Sequence, residues 1–110
     1  MLKTILAASI VSLFIAAPAM AETPFQKAHP RRAEVNHRER VQTRAINKAK
    51  RDGDITQAQA HDLHKQDVAI KKDERADVKA NGGYLTKAET KDLNQDLTEN
   101  RKDLHQDSAN

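Results

Sequence analysis

His61 and His64 stand three residues apart in "AQAHDLHKQD", and on a helix that spacing turns both imidazoles to one side. An imidazole pair can ligate Zn²⁺, Cu²⁺ or Ni²⁺. Asp62 and Asp67 are close in sequence, and His105 could approach from a later segment. Two ligands make a weak site, however, and H-x-x-H lacks the Glu of a zinc-protease helix. Solvated histidines on a polar face, gaining charge only in mild acid, account for the pair more simply. A second group is cationic. From Lys27 to Arg51 there are nine Lys or Arg against only Glu34 and Glu39, whereas Asp52 to Asn110 holds nine basic and thirteen acidic residues. Arg38, Arg40, Arg44 and Lys48 are the candidates for binding an anionic partner. The competing reading is that this basic segment packs on the acidic remainder of the chain.

A third pattern is a phrase written twice, "RDGDITQAQ" from Arg51 and "NGGYLTKAE" from Asn81, at a constant offset of about thirty residues. Gly53 answers to Gly83, Ile55 to Leu85, Thr56 to Thr86 and Gln59 to Glu89. Laid on a calcium loop, Gly53 takes the sharp-turn position and Gln59 the last ligand position, but Lys48 and Lys50 fall where carboxylates belong. In the second copy Glu89 is a proper last ligand, while Val78, Ala80 and Gly82 supply no side-chain oxygen. Calcium needs six or more oxygens, so the phrase is not expected to bind it. It reads instead as helix punctuation. Gly53 and Gly83 close one helix, Thr56 and Thr86 cap the next, and Gln59 and Glu89 complete capping boxes.

Other chemistry is thin. The chain has no Cys, no Gly-x-Ser-x-Gly and no phosphate-binding loop, and after the first 21 residues its one Ser is Ser108. Catalysis is therefore not expected, and no cofactor is. Nucleic-acid binding usually needs stacking aromatics, and beyond residue 21 there are only Phe25 and Tyr84.

The elements that must position these residues begin with an address. Lys3, the apolar run "ILAASIVSLFIAAPAM" and Ala19-Met20-Ala21 before Glu22 make a removable secretory signal over residues 1–21. Residues 22–32 read as a flexible lead-in, and 33–110 as a helical repeat domain. From Glu22 onward 14 residues are Val, Ile, Leu, Phe or Tyr, a sparse supply that implies a thin core. Three helices are expected near 33–51, 57–81 and 87–107, forming a small antiparallel all-α bundle. The first would bury Val41, Ala45, Ile46 and Ala49. The second would use Ala60, Leu63, Ile70 and Val78, with Ala58, Ala69, Ala76 and Ala80 as a second apolar edge, although Asp67 and Glu74 interrupt the larger one. The third would bury Thr90, Leu93, Leu97 and Leu104.

"AEVNHRERVQ", "AQAHDLHKQD", "DER" and "NGGYLTKAE" with "LNQ" together resemble a family of small exported bacterial proteins. Its members carry a signal peptide, then V-N-x-R-x-x-x-Q, then two G-x-[LI]-T-x-x-[EQ] elements. The tail "DLHQDSAN" departs from the aromatic, basic end common in that family. The resemblance implies export and the helical fold, and carries over no active site.

The expectation is thus a non-enzymatic periplasmic or secreted protein acting through surface contacts, an interaction or stress-related module with an envelope protein or anionic envelope component as partner. Weak transition-metal binding through His61 and His64, or adhesion of the basic first helix to anionic polymer or lipid, are the alternatives. Neither nucleic acid nor a membrane span after signal removal is expected.

Overall fold

The computed structural model describes residues 22–109; the signal-peptide reading lies outside them. Every regular element among the described residues is helical: α1 (Pro24–Ala28), α2 (Pro30–Arg51), α3 (Gln57–Ala80) and α4 (Lys87–Ala109). The expected count of three becomes four, and the lead-in 22–32 is mostly helix. The cause is a third capping box, Thr23-x-x-Gln26. Thr23 Oγ1 accepts from the Gln26 backbone N–H at 3.1 Å, and the Thr23 N–H donates to Gln26 Oε1 at 2.7 Å. Pro24 then sits in the first turn, where its fixed φ suits a helix and its missing N–H costs nothing. Pro30 starts α2 in the same way after His29, whose backbone (φ −134°, ψ 63°) separates the two helices.

The turns between the long helices are built by the punctuation residues. Thr56 and Gln59 exchange capping bonds at 2.8 and 3.0 Å, and Thr86 and Glu89 at 2.9 and 3.1 Å. Gly53 (φ 81°), Gly82 (φ 66°) and Gly83 (φ 108°) hold left-handed conformations that L side chains resist. Ile55 and Leu85, one residue before each capping Thr, are 5% and 3% exposed. Each turn therefore both starts a helix and inserts an apolar plug.

α2, α3 and α4 each pack on the other two, and α1 packs on α2. The buried positions advance by threes and fours in every long helix: 35, 39, 42, 46, 49 in α2, then 60, 63, 67, 70, 74 in α3, then 90, 93, 97, 100, 104 in α4. That alternation keeps a narrow seam facing the partner helices, as in coiled coils. The seam explains two corrections. Val41 is 47% exposed, and the buried α2 stripe is Val35, Glu39, Gln42, Ile46 and Ala49. The second edge of Ala58, Ala69, Ala76 and Ala80 faces solvent. Apolar residues just off the seam lost their places to polar residues on it.

The core consequently comes in two pieces. Ile46, Ala49, Ile55, Ala60, Leu63 and Leu104 form one apolar cluster, and Val35, Ile70, Leu85, Leu93 and Leu97 the other. Polar and charged side chains are buried on the same seams, including Glu39, Gln42, Asp67, Glu74 and Asn100. The second turn is further clamped by α2. Arg31 and Arg32 donate to the carbonyls of Leu85 and Gly83 at 3.3 and 3.1 Å. His29 packs between Phe25 and Tyr84, with ring centroids 5.1 and 4.6 Å away. No helix among the described residues is long and apolar enough to cross a membrane.

Candidate functional site

The candidate cations have unequal fates. Arg38 is turned inward along α4: its guanidinium donates to the Asn94 carbonyl and Oδ1 at 3.2 and 3.1 Å and to Thr98 Oγ1 at 3.2 Å. Lys48 is paired with Asp52 Oδ2 at 2.6 Å, which holds the Asp52 carboxyl below its usual range. Arg40 and Arg44 are exposed, with no hydrogen bond or ion pair to other described residues. Part of the basic segment therefore packs on the rest of the chain, and part stays on the surface.

The exposed part belongs to a larger face that the linear charge count hid. His64 Nε2 lies 3.0 Å from Asn47 Oδ1, and Thr43 Oγ1 donates to Asp67 Oδ2 at 2.6 Å. These contacts set α2 antiparallel beside α3 and bring one flank of each together. On the α3 flank, helical spacing places His61, His64, Lys65, Val68, Lys72 and Lys79. Arg40, Arg44 and Arg51 stand on the adjoining α2 flank. No exposed Asp or Glu of either helix lies on this α2–α3 face, because Glu34 faces α4, where Asn94 donates to it at 2.9 Å.

The acids are collected on the opposite side. Asp62, Gln66, Asp73 and Asp77 occupy the other flank of α3, and Glu89, Asp92, Asp96, Glu99, Asp103 and Asp107 a single row of α4. Asn100 joins the two rows, donating to the Leu63 carbonyl at 3.1 Å and to Gln66 Oε1 at 3.0 Å. The Asp77 carboxyl is raised by burial first and then by the charges of Glu89, Asp73 and Asp92. One edge contact relieves the row, Lys102 reaching Glu99 at 3.7 Å. Glu89 is held low instead, by its capping bond from the Thr86 backbone.

Between α2 and α3 runs a cleft of about 310 Å³ lined by Arg32, Asn36, Lys71, Arg75, Val78 and Lys79, with Glu39 and Glu74 among its walls. Both carboxylates are nearly sealed from solvent, at 4% and 6% exposure. Burial pushes the Glu39 carboxyl up to about 8; the Glu74 charge, a hydrogen bond with Glu74 and the Asp67 charge push the same way, against Lys71. Two carboxylates at hydrogen-bond distance are most stable sharing one proton. Glu39 Oε2 and Asp67 Oδ1 have no hydrogen-bond partner, so this belt is polar without being fully satisfied. Sequence reading passed over Glu39 as an ordinary helix residue. The usable signal was the three-four spacing that links it to Val35, Gln42 and Ile46.

His61 and His64 share the basic α2–α3 face. Among the described residues no group of three or more His, Cys, Asp or Glu is placed to hold a metal ion. The chain matches no protein-family model, no curated protein and no solved structure.

Proposed function

We propose that this is an exported, non-enzymatic helical protein that works by surface contact, and that its α2–α3 face engages an anionic component of the cell envelope. The observation that carries the reading is the separation of charge: Arg40, Arg44, Lys65 and Lys72 are exposed on a face to which neither helix contributes an exposed carboxylate, with Asp52 and Asp54 confined to the turn at its end. Exposed cations concentrated in this way attract polyanions at long range and lose that attraction as salt screens them. In this reading the two Gly-and-Thr turns are copies of one helix-turn-helix element whose task is rigidity, holding three helices so that the charges stay sorted.

The experiment is co-sedimentation with vesicles of phosphatidylglycerol in phosphatidylcholine, against phosphatidylcholine alone, with lipopolysaccharide as a second anionic probe. Binding to the anionic probes only, weakening with salt and lost when Arg40, Arg44, Lys65 and Lys72 are all changed to Gln, is the expected result. Equal binding to neutral vesicles, or indifference to the four substitutions, overturns it. Export has its own check: the intact mass of the envelope-localised protein should correspond to a chain beginning Glu22-Thr23-Pro24-Phe25.

A further inference from the structure

We propose that the acidic α3–α4 face of one molecule docks on the basic α2–α3 face of a second copy of the same chain, in a head-to-tail association that salt dissolves. The two faces have α3 in common. Its 24 residues make a rod about 36 Å long at 1.5 Å per residue, with Lys65, Lys72 and Lys79 along one flank and Asp62, Asp73 and Asp77 along the other. The charge rows therefore run in the same direction over nearly the same length. The α4 acids at 92, 96, 99 and 103 extend one face, and the α2 arginines at 40, 44 and 51 extend the other. A second copy presents a row of matching length and opposite sign, and so complements the whole acidic face.

Within one molecule the acids are crowded rather than neutralised. The carboxylates of α3 and α4 face one another with no Lys or Arg on the facing flanks, and Asp77 feels the charge of three of them. Docking a cationic face relieves that repulsion, and like-charge faces repel the opposite pairing. Individual exposed ion pairs are weak, so the association depends on many of them acting together and is steeply salt-dependent. Because the two contacting surfaces differ, each added copy leaves one acidic and one basic face free. Growth is then open-ended unless the rotation closes a ring. The inference uses the basic face invoked above but does not rest on polyanion binding, and its test contains no polyanion.

The test is sedimentation velocity of the native mature protein over a concentration series, near 0.01 M ionic strength, where the Debye length is about 30 Å, and near 1 M, where it is about 3 Å. Average mass should climb with concentration in the first condition and stay monomeric in the second. A monomer throughout, or an association that survives high salt, overturns the proposal. Two charge-reversed variants then test the faces. One carries Arg40→Glu, Arg44→Glu, Lys65→Glu and Lys72→Glu; the other carries Asp62→Lys, Asp73→Lys, Asp92→Lys and Asp96→Lys. All eight positions are exposed, and circular dichroism verifies that each variant folds. Each alone should be monomeric at low salt, and mixing them should restore association. Self-association of either variant alone, or a mixture that stays monomeric, refutes the assignment of faces. If either variant fails to fold, the salt series on the native protein still decides.

Discussion

Replacing Glu39 by Gln should change how the stability of the bundle depends on pH. Glu39 is 4% exposed, faces Glu74 and Asp67 from α3, and has its carboxyl raised from 4.5 to about 8 against the opposing charge of Lys71. Between those two values the folded state holds a proton that the unfolded chain has released. The stabilisation is therefore complete below about pH 4.5 and is lost as pH rises through about 8. At about 1.4 kcal/mol for each tenfold change in proton affinity, the whole displacement corresponds to a ceiling of about 5 kcal/mol. Gln still buries a polar amide at the same place and does not regain the whole of it, so about 2 kcal/mol is the portion it should recover at alkaline pH. In a domain of this size 1 kcal/mol moves Tm by roughly 4–8 °C, which makes the difference about 10 °C. The assay is a set of thermal melts followed by circular dichroism from about pH 5 to about pH 9. Native protein should lose Tm steadily across that window, and Glu39→Gln should match it at the acid end and exceed it at the alkaline end. Asp77 is also raised and adds a slope of the same sign to both proteins, so the readout is the gap between the two curves. A native Tm that is flat or rises with pH, or a gap that stays constant, would refute the reasoning.

Thr56→Ala and Thr86→Ala should each cost about 1 kcal/mol in urea titrations by removing a capping bond. Gly83→Val should cost more, because a β-branched residue resists φ 108°, even though its Cβ would make only an ordinary contact, 3.7 Å from His29 Cε1. Leu97→Ala should cost about 2–5 kcal/mol, since Leu97 is 1% exposed in the smaller of the supports on which α2 and α4 meet; a loss below 1 kcal/mol would mean that the two apolar clusters are not what holds the bundle together. Zn²⁺ or Cu²⁺ at micromolar concentration should leave Tm unchanged, whereas a site built on His61 and His64 would raise it by mass action. A rise abolished by His61→Ala with His64→Ala would establish that site. Calcium and EDTA should likewise leave the melts unaltered, because neither turn has the oxygens for the ion.

Much of the helical layout is written locally. A Thr followed three residues later by Gln or Glu caps a helix through bonds between near neighbours, and a Gly that must take positive φ ends one, so the limits of α3 and α4 were readable without knowing what they touch. The same rule holds at Thr23 and Gln26, where the cap starts α1 without a preceding Gly to mark the turn. The apolar stripe of α4 was also legible, as Leu93, Leu97 and Leu104 have no competing edge. In α2 and α3 it was not. Val41 and the alanines at 58, 69, 76 and 80 look like core until the three-four seam is drawn through Glu39, Gln42, Asp67 and Glu74, and only packing against two other helices selects that seam. The charge-sorted faces depend on tertiary structure for the same reason. Sequence order shows a basic segment followed by an acidic one, but Lys65, Lys72 and Lys79 lie in the acidic segment and join Arg40 and Arg44 only because the Asn47–His64 and Thr43–Asp67 contacts set α3 antiparallel beside α2. The raised Glu39 carboxyl follows the same logic: its own helix would leave it an ordinary carboxylate, and the neighbouring helix supplies both the burial and the second carboxylate that favour its protonated form.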